Sequence, residues 1–203
     1  MGEISEIASR QRRVLNALTS LTYDPDPLLA WRAVEAMGIA AAALADTAPD
    51  RVTAHLRQLH WLLSDESGGV CWYAPQAMAE IVRRKPRLFP DYIPLICSLL
   101  VTMEEEDLVN FRPAVLWGIG RLAPVAGDAL AGLEPALAAC LDHADPQVRG
   151  LAVWCFSQSD VSGRLAARTD LAHDEGRVVL YRDGSLENTT VAALVREAVR
   201  GKG

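Results

Sequence analysis

Apolar residues recur at helical spacing along most of the chain, in runs broken by short polar or proline-containing stretches. The run "EIASRQRRVLNALTSL" places Ile7, Val14, Leu15 and Leu18 on one helical face, and "PDRVTAHLRQLHWLL" does the same with Val52, Leu56, Leu59 and Leu63. "FPDYIPLICSLLVTM" and "LAGLEPALAACL" are two further amphipathic runs. Each is followed by a second helical segment: "DPLLAWRAVEAMG", "CWYAPQAMAEI", "NFRPAVLWGIG" and "DPQVRGLAVWCFS". Prolines 27, 75, 113 and 146 fall in the first turns of these second helices, where a missing amide proton costs nothing. Asp26, Asn110 and Asp145 stand as N-caps, and Asp65 or Ser67 fills that role in the second segment.

The four second helices align with one another. Trp31, Trp72, Phe111 and Gly150 share one repeat position, at spacings of 41, 39 and 39 residues. Tyr73 and Arg112 share the next. The pattern predicts four helix hairpins of about forty residues, stacked so that each covers its neighbour's apolar face. The expected core is Leu29, Ala33, Ala36 and Met37, then Ala74, Ala77, Met78 and Ile81, then Ala114, Trp117 and Leu122. The side chains between these positions, Arg32, Glu35, Trp72, Tyr73, Gln76, Glu80, Arg112 and Arg121, are expected to face an open groove. Trp31, Trp72 and Phe111 have a competing reading as a row of rings packed between repeats.

The pattern changes after residue 160. "GRVVLYRDGSLENTTVAALVREAV" opens with a β-rich run and an Asp183-Gly184 pair, the signature of a tight hairpin turn. Val191, Leu194, Val195 and Ala198 then mark one helical face. The expectation is an all-α solenoid over 1–160, with residues 161–203 as a cap in the same compact unit. That cap comprises a hairpin at about 177–190 and a helix at about 190–200.

Half of the 203 residues are hydrophobic, enough for a packed core. With 26 acidic against 20 basic residues the net charge is −6, which opposes duplex nucleic acid as a partner. Cys71, Cys97, Cys140 and Cys155 show no metal spacing, and the last three fall in apolar helical runs, so they are expected buried and unpaired. The four histidines lack HxxxH or HExxH spacing, and neither a metal nor another cofactor is implied. The start "MGEISEIASRQRR" has no apolar signal core, and "IAAAALA" is too short to cross a bilayer, so the expectation is a cytoplasmic protein without a membrane partner.

The stretch "SDESGGVCWYAP" collects Asp65, Glu66, Ser67, a glycine pair, Trp72 and Tyr73. It lacks a GxSxG elbow and a Walker lysine, and reads as a helix-to-helix turn whose exposed edge, Asp65 and Glu66 included, contributes to a binding surface. A small-ligand site with Arg112 or Arg121 is the alternative. "RRKPR" (83–87) reads as a solvated helix end, and "EEED" (104–107) as a polar turn.

Asp145-Pro146-Gln147-Val148-Arg149 opening a second helix within a forty-residue pair resembles a HEAT repeat, of the bacterial branch similar to phycobilin lyases. Asp65-Glu66-Ser67-Gly68-Gly69 with Trp72, Ala74 and Pro75 is similar to a signature of a HEAT-like bacterial family without an established activity. The resemblance implies a scaffold that binds a protein or peptide on its concave face, without catalysis. It leaves open a ligand-binding or bilin-lyase-like helper, or a HEAT-like DNA glycosylase, with Glu35 or Glu80 beside Trp72 and Tyr73. Of the arginines that form a ladder with aspartates in HEAT proteins, only Arg149 is present. Ala30, Cys71 and Asn110 stand at the equivalent position in the other repeats.

Overall fold

The computed structural model describes residues 3–6, 11, 13–63, 70–106, 108–159, 165 and 167–200. Ile7, Asp65, Glu66, Ser67, Gly68, Gly69 and Asp107, with the expectations placed on them, lie outside the described residues. The chain divides into two compact units, Met1–Ile96 and Cys97–Gly203. Helix α5, Tyr92–Thr102, contains the division. The expected cap lies in the second unit, together with the third and fourth second helices.

The first unit holds α1 (Val14–Leu21), α2 (Pro27–Ala45), α3 (Pro49–Trp61) and α4 (Ala74–Arg84). Asp26 caps α2 as expected: its carboxylate accepts from the Leu28 amide at 2.9 Å, a contact worth about 1 kcal/mol. By length and composition α2 would suffice to cross a membrane. In this unit it is the central core helix, packed against α1, α3 and α4. Small residues make that possible. A Cβ added at Gly38 would stand 2.7 Å from the Glu80 carbonyl oxygen on α4, so α2 and α4 meet backbone to backbone there. Leu29 departs from the expected core and is 37% exposed, because it lies on the outer side of the first turn of α2.

One buried polar pair joins α1 to α3. Thr19 donates its hydroxyl proton to the Leu15 carbonyl at 3.0 Å, so the 3.2 Å contact with His55 is a donation from Nε2–H to Thr19 Oγ1. Burial pushes the His55 pKa down to about 4 despite a hydrogen bond to Gln58, which keeps the ring neutral at pH 7.

The second unit contains α6 (Arg112–Ala126), led by a 3-10 turn, then α7 (Asp128–Ala131), α8 (Glu134–Cys140) and α9 (Pro146–Ser157). After a 3-10 turn at Leu171–His173 come β1 (Arg177–Arg182), β2 (Ser185–Thr190) and α10 (Val191–Arg200). Asn110 is not the N-cap of α6, since the preceding 3-10 turn carries the chain into the helix through Phe111. Asp145 does cap α9, accepting from the Gln147 amide at 2.8 Å. The hairpin turn has positive φ at both Asp183 (50°) and Gly184 (81°), the conformation an Asp-Gly pair accommodates. Val191, Leu194, Val195 and Ala198 of α10 are all buried, as their spacing predicts.

Two tight contacts hold this unit. The rings of Trp117 on α6 and Trp154 on α9 stack at 6.1 Å. The Trp154 ring lies against Gly120, where an added Cβ would approach it to 2.4 Å. Gly150 likewise admits Val178 of β1 against α9, with 2.4 Å left for a Cβ. Trp117 Nε1 donates to the Tyr181 carbonyl at 3.0 Å, tying β1 to α6. All four cysteines are free and buried. Cys155 donates to the Leu116 carbonyl at 2.9 Å, and burial pushes the Cys97 thiol up to about 11.

The motif Asp145-Pro146-Gln147-Val148-Arg149 organises the cap. Arg149 Nε donates to Asp174 at 2.7 Å, and its Nη1 donates to the carbonyls of His143 and Ala144 at 2.7 and 2.8 Å. The arginine that HEAT proteins use in a ladder thus fastens the segment entering the hairpin. Gln147 adds a second fastening: its amide donates to the Val179 carbonyl and accepts the Val179 N–H, both at 2.8 Å. The glutamine side chain occupies the place of a neighbouring strand along β1.

Two outcomes follow from these contacts. The unfolded chain protonates His55 below about pH 6.5, whereas the folded chain resists until about pH 4. Stability therefore falls by about 3 kcal/mol as pH drops through that window. Urea denaturation of wild type and His55→Gln between pH 7 and 4 should show a shallower slope for the variant, and equal slopes would remove His55 as the source. Gly120→Ala gains at most about 1 kcal/mol in helix propensity and loses about 1–3 kcal/mol to overpacking against Trp154. A lower unfolding midpoint with altered tryptophan emission is the expected result.

Candidate functional site

The candidate surface lies at one end of the first unit, where α1, α3 and α4 meet through Cys71. The Cys71 amide donates to the Leu62 carbonyl at 3.1 Å, and its carbonyl accepts from Ala74 N at 3.0 Å, where α4 begins. Thr22 spends its single hydroxyl proton on the Thr19 carbonyl at 2.7 Å. The 3.4 Å contact between Thr22 and Cys71 is then an S–H donation to Thr22 Oγ1. Three chain segments meet at one small buried residue, through its backbone amide, its carbonyl and its thiol.

Each segment presents an aromatic ring one residue from this node. Tyr23 follows Thr22, Trp61 precedes Leu62 and Trp72 follows Cys71; their exposures are 50%, 59% and 54%. Trp31 and Tyr73, both half-buried, stand behind them edge to face, with ring centroids 5.4 Å apart. Partial burial pushes the Tyr73 phenol above its usual range. Trp31 thus packs between the first and second repeats, and Phe111 is buried in the second unit.

The expected groove residues separate into distinct environments. Arg32 is exposed on α2 and Glu35 is half-buried. Gln76 and Glu80 are not on an open face: they are 5% and 0% exposed, because α4 is covered on every side from Ala74 to Val82. Arg112 and Arg121 are half-buried in the second unit and engaged there. Arg112 donates to His143 Nε2 at 2.9 Å and to Met103 Sδ at 3.1 Å, and pairs with Glu104. Arg121 lies 5.5 Å over the Trp117 ring.

Burying Glu80 requires a counter-charge. Arg83 supplies it with a two-pronged contact, Nε to Oε1 and Nη2 to Oε2 both at 2.7 Å, and Arg84 Nε stands 3.7 Å away. The basic run at 83–87 is therefore only partly a solvated helix end: Arg83 and Arg84 fold back onto a buried acid, and Lys85 pairs with Asp46. Gln76 Oε1 is buried without a hydrogen-bond partner among the described residues. Tyr23 and Trp61 were not singled out by the periodicity, since a ring at a helix end carries no helical spacing. The role of Cys71 had no sequence signal either.

Glu80→Ala should lower stability by about 1–3 kcal/mol, because Arg83 and Arg84 are left part-buried without their acid. Trp72→Ala should change it by no more than about 0.5 kcal/mol. Chemical denaturation of the two variants checks the contrast. An equal loss in both would place Trp72 in the core.

Residues 109–158, which include α6 and α9, match a family model described as a HEAT-like repeat. The chain is also similar to an uncharacterised protein of Archaeoglobus fulgidus, at 36% identity over 112 residues. That match covers 55% of this chain and 55% of the archaeal protein, so it spans about half the length of either. With its helix pairs and C-terminal hairpin, the chain is a mostly helical protein that carries a HEAT-like repeat.

Proposed function

We propose that this chain is an interaction scaffold, and that it takes a segment of a protein partner on the aromatic end of its first unit. HEAT-like repeats typically serve as protein-interaction scaffolds, which supports the coarser part of this reading. The observation that carries the finer part is the convergence of exposed Tyr23, Trp61 and Trp72 on the Cys71 node. Large exposed rings gathered in one place mark contact surfaces, and tryptophan and tyrosine dominate binding hot spots. A ring held by two side-chain torsions loses little entropy on binding, and its apolar area is already oriented by the backbone beside it. Exposed Arg32, next to Trp31 on α2, extends the surface with a charge. The partner segment that suits it carries apolar anchors and a carboxylate.

Cross-linking followed by affinity capture and mass spectrometry identifies the partner, and quenching of tryptophan emission then measures its affinity. Trp61→Ala and Trp72→Ala should each weaken binding at least about tenfold, equivalent to about 1.4 kcal/mol, with unchanged unfolding midpoints. If both variants bind as the wild type does while Arg32→Glu and Glu35→Lys abolish capture, the partner sits on the α2 face instead.

A further inference from the structure

The two-stranded sheet has one edge that the fold closes and one that the described residues leave open. Along β1, Gln147 satisfies both backbone groups of Val179, and Trp117 satisfies the Tyr181 carbonyl. Both bonds run away from β2, so Val179 and Tyr181 belong to the non-hydrogen-bonded pairs of the ladder. Their opposite residues in the register are Asn188 and Leu186. These two must also turn their N–H and C=O groups outward, on the far side of β2. Among the described residues, none supplies a hydrogen bond to the backbone of either. Ser185 and Asn188 are exposed. The strand reads Ser185-Leu186-Glu187-Asn188-Thr189-Thr190, without the proline, lysine or bulge that blunts an unprotected edge.

We propose that this edge pairs with the same edge of a second copy of the chain, antiparallel about a two-fold axis, to give a four-stranded sheet. The sequence of β2 selects both occupant and register. Outward-facing groups belong to Leu186, Asn188 and Thr190, so these residues must pair among themselves. Three two-fold registers pair at least two of these residues within the set, whereas centring on Leu186 or Thr190 pairs only one with its own copy. Centring on Glu187 sets two carboxylates directly opposite each other, which is destabilising. Centring on Thr189 runs the pairing into α10, which starts at Val191. Centring on Asn188 remains. It sets Leu186 against the partner's Thr190 and Glu187 against the partner's Thr189, while the two Asn188 side chains face each other across the axis. No unpaired charge enters the joint, because Glu187 already holds Arg182 at 2.6 Å. The surface lies in the second unit and is independent of the aromatic surface above.

A joint of one short strand per copy is small, and association is expected at roughly 10–1,000 µM, the weak end of specific interfaces. Sedimentation equilibrium across that range should show a monomer–dimer equilibrium. Asn188→Pro removes an outward N–H and leaves the ladder with β1 intact, as proline is tolerated on edges. Asn188→Lys places two ammonium groups on the axis and tests the joint without altering the backbone. Each variant should weaken dimerisation at least about tenfold, with far-ultraviolet circular dichroism unchanged. A wild type that stays monomeric to about 1 mM overturns the proposal, as does a dimer that both variants retain. Protection of the Asn188 amide from exchange by an added extended peptide, in a monomeric wild type, assigns the edge to a foreign strand and equally overturns it.

Discussion

A helix hairpin of about forty residues has more apolar surface than its two helices can cover for each other, so it must stack on a neighbour. In this chain the stacking is between second helices: α2 against α4 in the first unit, and α6 against α9 in the second. Both contacts depend on a missing side chain. Gly38 brings α2 to the Glu80 carbonyl, and Gly120 makes room for the Trp154 ring. Cores packed at crystal-like density do not absorb even one added methyl without movement.

Closing the helices this tightly traps polar groups, and each trapped group determines something local. Glu80 is enclosed with α4 and draws Arg83 and Arg84 inward. His55 is enclosed between α1 and α3 and is kept neutral by burial, with Thr19 accepting its hydrogen bond. Arg149 and Asp174 hold each other at the entry to the hairpin, and the guanidinium holds the Asp174 carboxyl below its usual range. Unpaired, any of these groups would cost more than an ordinary hydrogen bond contributes. Paired, they specify which segments meet.

The surfaces left uncovered are those that the stacking cannot reach. Helix ends lie beyond the stacked stripes, and there exposed Tyr23, Trp61 and Trp72 each stand one residue from the contacts of a buried cysteine that joins three segments. The outer edge of β2 lies beyond the reach of α9, whose Gln147 serves β1 alone. The packed core is thus separate from the exposed groups on its margins, and substitutions at the margins are then nearly free of stability cost.

Local rules sufficed for much of this architecture. Helical spacing identified the paired helices and the buried face of α10. Aspartate before proline identified two N-caps, because a carboxylate beside free amides is a short-range interaction. Asp183-Gly184 identified the hairpin, because few residues accept positive φ. Burial of Cys97, Cys140 and Cys155 followed from their apolar surroundings in the chain. The sequence could not reveal that α4 is covered on its polar side too, which takes Gln76 and Glu80 inside. It could not reveal that Arg149 would bind Asp174, that Gln147 would stand in for a strand, or that Cys71 would gather Tyr23, Trp61 and Trp72. Each of these depends on residues 25 or more positions apart meeting in space. Periodicity reports the face a helix offers, and only its neighbours decide how many faces are covered.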